Sequence, residues 1–95
     1  MDTRTDDKSI FEMIEGLRKQ IEEIMPSVRE SIDDIISNKI SSAAAIEQVL
    51  DQLLDYTTLG FGEQEFKRLN QHYATINKEN AAFYEREFKA LQNED

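Results

Sequence analysis

Cysteine and tryptophan are absent from the 95 residues, proline occurs once and glycine three times. Without cysteine there is no disulfide, no thiol nucleophile and no sulfur-ligated metal site. So few turn-forming residues cannot punctuate a many-stranded fold, in which each short strand ends at a turn. Long apolar runs are missing as well, and no stretch approaches the roughly 18 residues that a membrane helix needs. Residues 1–8 are polar and charged, without the apolar centre of a secretory signal, so the expected compartment is the cytoplasm.

Positive charge is the other scarcity. Eleven Lys and Arg stand against 20 Asp and Glu, a net charge of −9. Such a chain is repelled by nucleic-acid phosphates and by anionic membrane surfaces, so direct binding to either is not expected. The imbalance is also uneven. No Lys or Arg lies between Lys39 and Lys67, and residues 42–66 hold five acids and no base. More than half of the net charge therefore falls in one quarter of the chain.

What is present is helical periodicity. Ile10, Ile14, Leu17, Ile21 and Ile24 are spaced four, three, four and three, an apolar stripe on one helical face. Asp6 or Asp7 is suited to cap its start. Glu15 and Lys19 form a favourable pair four residues apart on another face. The stripe resumes beyond Pro26 as Val28, Ile32, Ile35 and Ile36, nearly in phase. Proline removes a backbone donor and disfavours helical geometry at Met25. Two readings stay open there: one long kinked helix, or two helices with Pro26 opening the second.

Residues 38–42 read as a turn, with Ser41 or Ser42 capping a helix that carries Ile46, Val49, Leu50, Leu53 and Leu54. Gly60 suits a left-handed cap at its end, and Gly60-Phe61-Gly62 is the clearest break in the chain. Glu63 and Glu65 then favour a new first turn. The last segment carries Phe66, Leu69, Tyr73 and Ile76, then Tyr84, Phe88 and Leu91, with Asn77 available to cap a separate helix.

The predicted fold is therefore all-α. It is a small antiparallel helical bundle of three long arms, with turns near 39–42 and 60–62, becoming four or five helices if the outer arms break at Pro26 and Asn77. An apolar content of 39% supports one core, hence a single domain over 1–95 with frayed ends at about 1–6 and 93–95. An unbroken arm of about 30 residues would be about 45 Å long, and the middle arm is only a little over half that. Apolar stripe would then be left over at the ends of the long arms.

Candidate sites follow from the unusual clusters. Glu47, Asp51 and Asp55 lie four apart on one helical face, which offers a docking surface for a basic protein partner or an ordinary solvated face. Phe61 lies between two glycines, as a candidate partner contact or a turn residue tucked against the core. Phe83 and Tyr84 are adjacent and cannot point the same way, so one of them meets something outside the stripe. His72, the only histidine, has no glutamate three residues before it, so the Glu-x-x-His pair of a carboxylate metal site is missing. No nucleophile stands in a recognisable catalytic motif, and Gly60-Phe61-Gly62 follows no strand, as a dinucleotide site requires. Neither an enzyme nor a metal or cofactor is expected. The expected function is protein–protein interaction, as in an adaptor, chaperone or immunity-type binder. The alternatives are a structural homodimer formed by pairing of the long helices and, third, a mimic of nucleic-acid charge.

Overall fold

The computed structural model describes residues 3–93, with side chains described from Ser9 onward. Four helices follow one another: α1 (Thr3–Ser37), α2 (Ala43–Thr57), α3 (Glu63–Ala74) and α4 (Lys78–Gln92). Among the described residues there is no strand.

At Pro26 the structure takes the uninterrupted helix. The reason lies in the direction of the faces. Met25 and Val28 are buried on either side of it, whereas Pro26 and Glu22 are exposed. The carbonyl deprived of its donor, four residues back at Glu22, is therefore on the wet side, where water replaces the lost bond. Core packing on the opposite side keeps the helix going. The helix also starts earlier than expected. It runs from Thr3, so Asp6 and Asp7 lie inside its opening turns instead of capping it. Their side chains, residues 1–2 and residues 94–95 are outside the described part, while residues 3–6 are helical and Asn93 is the C-cap of α4.

The turns follow local chemistry. Lys39 adopts φ +51°, the Ile40 N–H donates to the Ile35 carbonyl at 2.9 Å and the Lys39 N–H to Ile36 at 3.2 Å, so α1 closes in a Schellman-type motif. Ser42 caps α2, its hydroxyl oxygen accepting from the Ala45 N–H at 3.3 Å. The end of α2 repeats the motif: Gly60 takes φ +91° and the Phe61 N–H donates to the Tyr56 carbonyl at 3.0 Å. Gly62, at φ +84°, opens α3 without a side-chain cap, and Glu63 and Glu65 occupy the positive first turn. The last arm is broken: Asn77 Oδ1 accepts from the Asn80 N–H at 3.0 Å and caps α4 as a separate helix.

One core unites the four helices. It is built from Ile21, Met25, Val28, Ile32 and Ile35 of α1, Ile46, Leu50 and Leu53 of α2, Phe66, Leu69 and Tyr73 of α3, and Ala81, Tyr84 and Phe88 of α4. α2 and α3 pack on each other and on both outer helices, while the backbones of α1 and α4 do not approach closely. Phe66 and Phe88 stack with centroids 5.0 Å apart, joining α3 to α4. α1 is tied to α3 by Arg29–Glu65 at 2.8 Å and Arg68–Asp33 at 2.5 Å. The hydrogen bond from Arg29 holds the Glu65 carboxyl below its ordinary value, against the opposing effect of burial. The contribution of that pair is present above the ordinary glutamate range and fades as pH falls through the lowered value. His72 Nε2 lies 3.1 Å from the Ile40 carbonyl oxygen, with the ring N–H placed to donate, and so pins the end of α3 to the turn after α1.

Gly60 and Gly62 share a left-handed backbone but not a steric environment. A Cβ on Gly62 would come within 2.9 Å of Leu53 Cδ2, a core side chain, whereas one on Gly60 meets nothing within 4 Å. Gly60→Ala should cost about 1–2 kcal/mol, the left-handed penalty alone, and Gly62→Ala clearly more, because the core must shift as well. Urea unfolding of the two variants checks the order, and equal losses would show that Leu53 gives way freely.

Candidate functional site

The core-facing side of α1 does not end where the core ends. Ile14, Ile21, Val28 and Ile35 are seven residues apart and share one line along the helix. Val28 and Ile35 are 5% and 6% exposed, but Ile14 is 38% and Leu17 48% exposed. Ile10, Phe11, Met13 and Ile24 are exposed as well, with Phe11 at 70%. The cause is length. The 35 residues of α1 span about 52 Å at 1.5 Å per residue, which matches the 54 Å longest dimension of the molecule. The 15 residues of α2 reach only about 22 Å. The N-terminal half of α1 therefore projects beyond everything that could cover it. Arg18 marks the boundary, its guanidinium 5.5 Å from the centroid of the half-buried Phe61 ring.

The projection is two-faced. At 100° per residue, Ile10, Ile14, Leu17 and Ile24 lie within about 80° of one another, flanked by Phe11 and Arg18 on one side and Met13 and Gln20 on the other. The acids of this stretch, Glu12, Glu15, Glu22 and Glu23, all lie about 120° or more from the middle of that face. An apolar side wide enough for a helix thus has a charged back and no carboxylate on its flanks. Exposed apolar clusters of this kind occur at protein or membrane interaction sites, at ligand grooves and on aggregation-prone surfaces.

The acidic row lies elsewhere and is partly engaged within the chain. Half-buried Glu47 accepts hydrogen bonds from the Tyr73 hydroxyl and from Asn80 Nδ2, the latter at 3.1 Å. Asp51 accepts from the Tyr84 hydroxyl at 2.8 Å. Asp55 is exposed one turn further on. Burial, reinforced by Glu47, raises the Tyr73 pKa, and burial with Asp51 raises that of Tyr84, so both phenols stay protonated donors. The two tyrosines lie edge to face with centroids 6.4 Å apart, and their hydroxyls join α3 and α4 to α2. Phe83 lies outside, 48% exposed, edge-on to Tyr84 at 5.5 Å.

A groove of about 550 Å³ runs between α3 and α4 over Phe66, Asn70, Ala81 and Phe88, with Lys67, Lys78 and Lys89 at its rim. Asn70 is buried beneath it and its Nδ2 donates to the Ala81 carbonyl at 2.9 Å. The Asn70 side-chain oxygen has no partner among the described residues, but it is sealed from the groove and offers a ligand nothing. No group of three or more His, Asp or Glu side chains among the described residues is placed to hold a metal ion. Likewise no helix there is long and apolar enough to cross a membrane.

Comparison with family models, with curated proteins and with solved structures finds no match to the chain. Of the residues singled out in the sequence, Glu47, Asp51 and Tyr84 come together in the polar seam between α2 and α4, Phe61 lies under Arg18, and Asp55 and Phe83 stand apart. Ile10, Ile14 and Leu17 were read only as part of the α1 stripe, and Phe11 and Met13 were not singled out. Their signal was the leftover length of stripe, which names a surplus without naming its end.

The polar seam makes its own test. Tyr73→Phe leaves half-buried Glu47 and Asn80 short of a partner and should cost about 1–2 kcal/mol. Tyr84→Phe frees an exposed carboxylate that water satisfies, and should cost less than about 1 kcal/mol. Urea denaturation that reverses this order would contradict the burial difference between the two acceptors.

Proposed function

We propose that the chain is a non-enzymatic interaction protein that works by docking an amphipathic helix on the uncovered face of α1. The observation that carries this reading is the contrast along one line of α1, bare at Ile14 and Leu17 and covered at Val28 and Ile35. A helix is the partner of stated chemistry because the bare face is a narrow stripe at heptad spacing, which accepts apolar knobs at intervals of three and four residues. The four helices with their short turns are read as an antiparallel bundle, and the protein as an acidic cytoplasmic one. Its charged remainder keeps it soluble while one face associates. The acidic row on α2 is a weaker docking candidate, since two of its three carboxylates already receive tyrosine hydroxyls.

A photo-cross-linking amino acid placed at Met13, in the organism that makes the protein, should yield covalent adducts with a helical segment. The same group at Glu87 on α4 should yield far fewer. Leu17→Glu should remove the Met13 adducts and leave far-UV circular dichroism of the purified protein unchanged. Equal labelling from the two positions, or none from Met13, would sink the reading.

A further inference from the structure

We infer that the helix received by α1 is the same segment of a second copy, running antiparallel, with Ile14 of one copy against Leu17 of the other. The inference rests on the proposed docking face and names its occupant. Four features support it.

The first is steric. In a parallel pair, the two copies would carry α2 and α3 at the same end, on the line that their α1 helices would share from Ile21 onward. Antiparallel pairing puts the two globules at opposite ends. The line of Ile10, Leu17 and Ile24 also stays open beside the globule, with Ile24 41% exposed, so the partner helix can pass. The second is self-complementarity. A register that sets Ile14 of one copy against Leu17 of the other brings these two bare residues together twice, once on each side of the two-fold axis, and stops short of Ile21, which its own chain already covers.

The third is charge. A chain of net charge −9 repels its own copy at most surfaces. On this face the flanking residues are Phe11, Met13, Arg18 and Gln20, and the four acids of the stretch point away. In the stated register Phe11 of one copy is level with Gln20 of the other and Met13 with Arg18, none of them acidic. The fourth is area. Ile10, Phe11, Met13, Ile14 and Leu17 leave on the order of 500 Å² of apolar side chain accessible per copy, at roughly 150–250 Å² for a large side chain. Two copies together cover about 1,000 Å², the lower end for a specific interface. The expected dimer is therefore one that forms and dissociates with concentration.

The absence of cysteine makes the test clean, because single cysteines can be introduced and spin-labelled one at a time. Ser9→Cys, Glu15→Cys and Glu23→Cys place labels off the pairing face. Antiparallel pairing predicts labels nearly level across the pair at position 15 and offset along the axis by about 20 Å at 9 and at 23. Parallel pairing predicts the same distance at all three sites and would overturn the inference. Sedimentation equilibrium of the unlabelled chain, from about 5 µM to about 1 mM, should show the mass rising from 11.0 kDa toward twice that value. Leu17→Glu should lower the association constant at least tenfold, with Phe11→Ala as a milder second variant. A mass fixed at 11.0 kDa throughout would also overturn the inference. If Met13 still cross-links to a different chain in that case, the docking face stands and only its occupant is wrong. If Met13 cross-links to nothing, both fail.

Discussion

A helix can be covered only over the length of what packs against it. Here α1 has 35 residues and its neighbours α2 and α3 have 15 and 12. Most of the architecture follows from that mismatch. The C-terminal half of α1 lies against α2 and α3 and supplies Val28, Ile32 and Ile35 to the core. The N-terminal half repeats the same apolar spacing with nothing to meet it. A surface serving solubility alone would carry polar residues at those positions. The apolar repeat there costs solubility and adds nothing to the core of its own chain, which is why association is the reading the geometry favours.

The covered half needs a firm platform, and the polar seam helps provide it. Tyr73 and Tyr84 keep their rings in the core and send their hydroxyls to its edge, where Glu47 and Asp51 accept them. Two carboxylates one turn apart on α2 repel each other slightly. Placing a phenolic donor on each turns that liability into a tie among α2, α3 and α4. Arg29 and Arg68 then fasten α1 to α3 from the outside. Such exposed pairs add little stability, so apolar packing carries most of the attachment and the ion pairs set its orientation.

Much of this was legible in the sequence where the signal was local. Ser42 and Asn77 cap helices because a short polar side chain there can reach back to a free N–H, and Gly60 ends one because it tolerates a left-handed backbone. The leftover stripe was legible as a length that the middle arm could not cover. Other features depended on which way a residue faced. Pro26 does not break α1, because its lost hydrogen bond falls on the solvent side, and a linear pattern does not weigh that against core packing opposite. Glu47 and Asp51 read as a docking surface for a basic partner or a solvated row, since nothing nearby in sequence announces tyrosines more than 25 residues away. Phe11 and Met13 fall outside the simple stripe and gain importance only once the uncovered end of α1 is located.

The central claim is that one continuous helix is covered by its own chain along one half and by association along the other. Hydrogen exchange along α1 at two protein concentrations tests it most directly. Amides around residues 25–36 should be protected to the same degree at both concentrations, because their cover is intramolecular. Amides around residues 10–20 should exchange quickly in dilute protein and slow as concentration rises. Protection of 10–20 equal to that of 25–36 in dilute protein, or no protection of 10–20 at any concentration, would contradict the account.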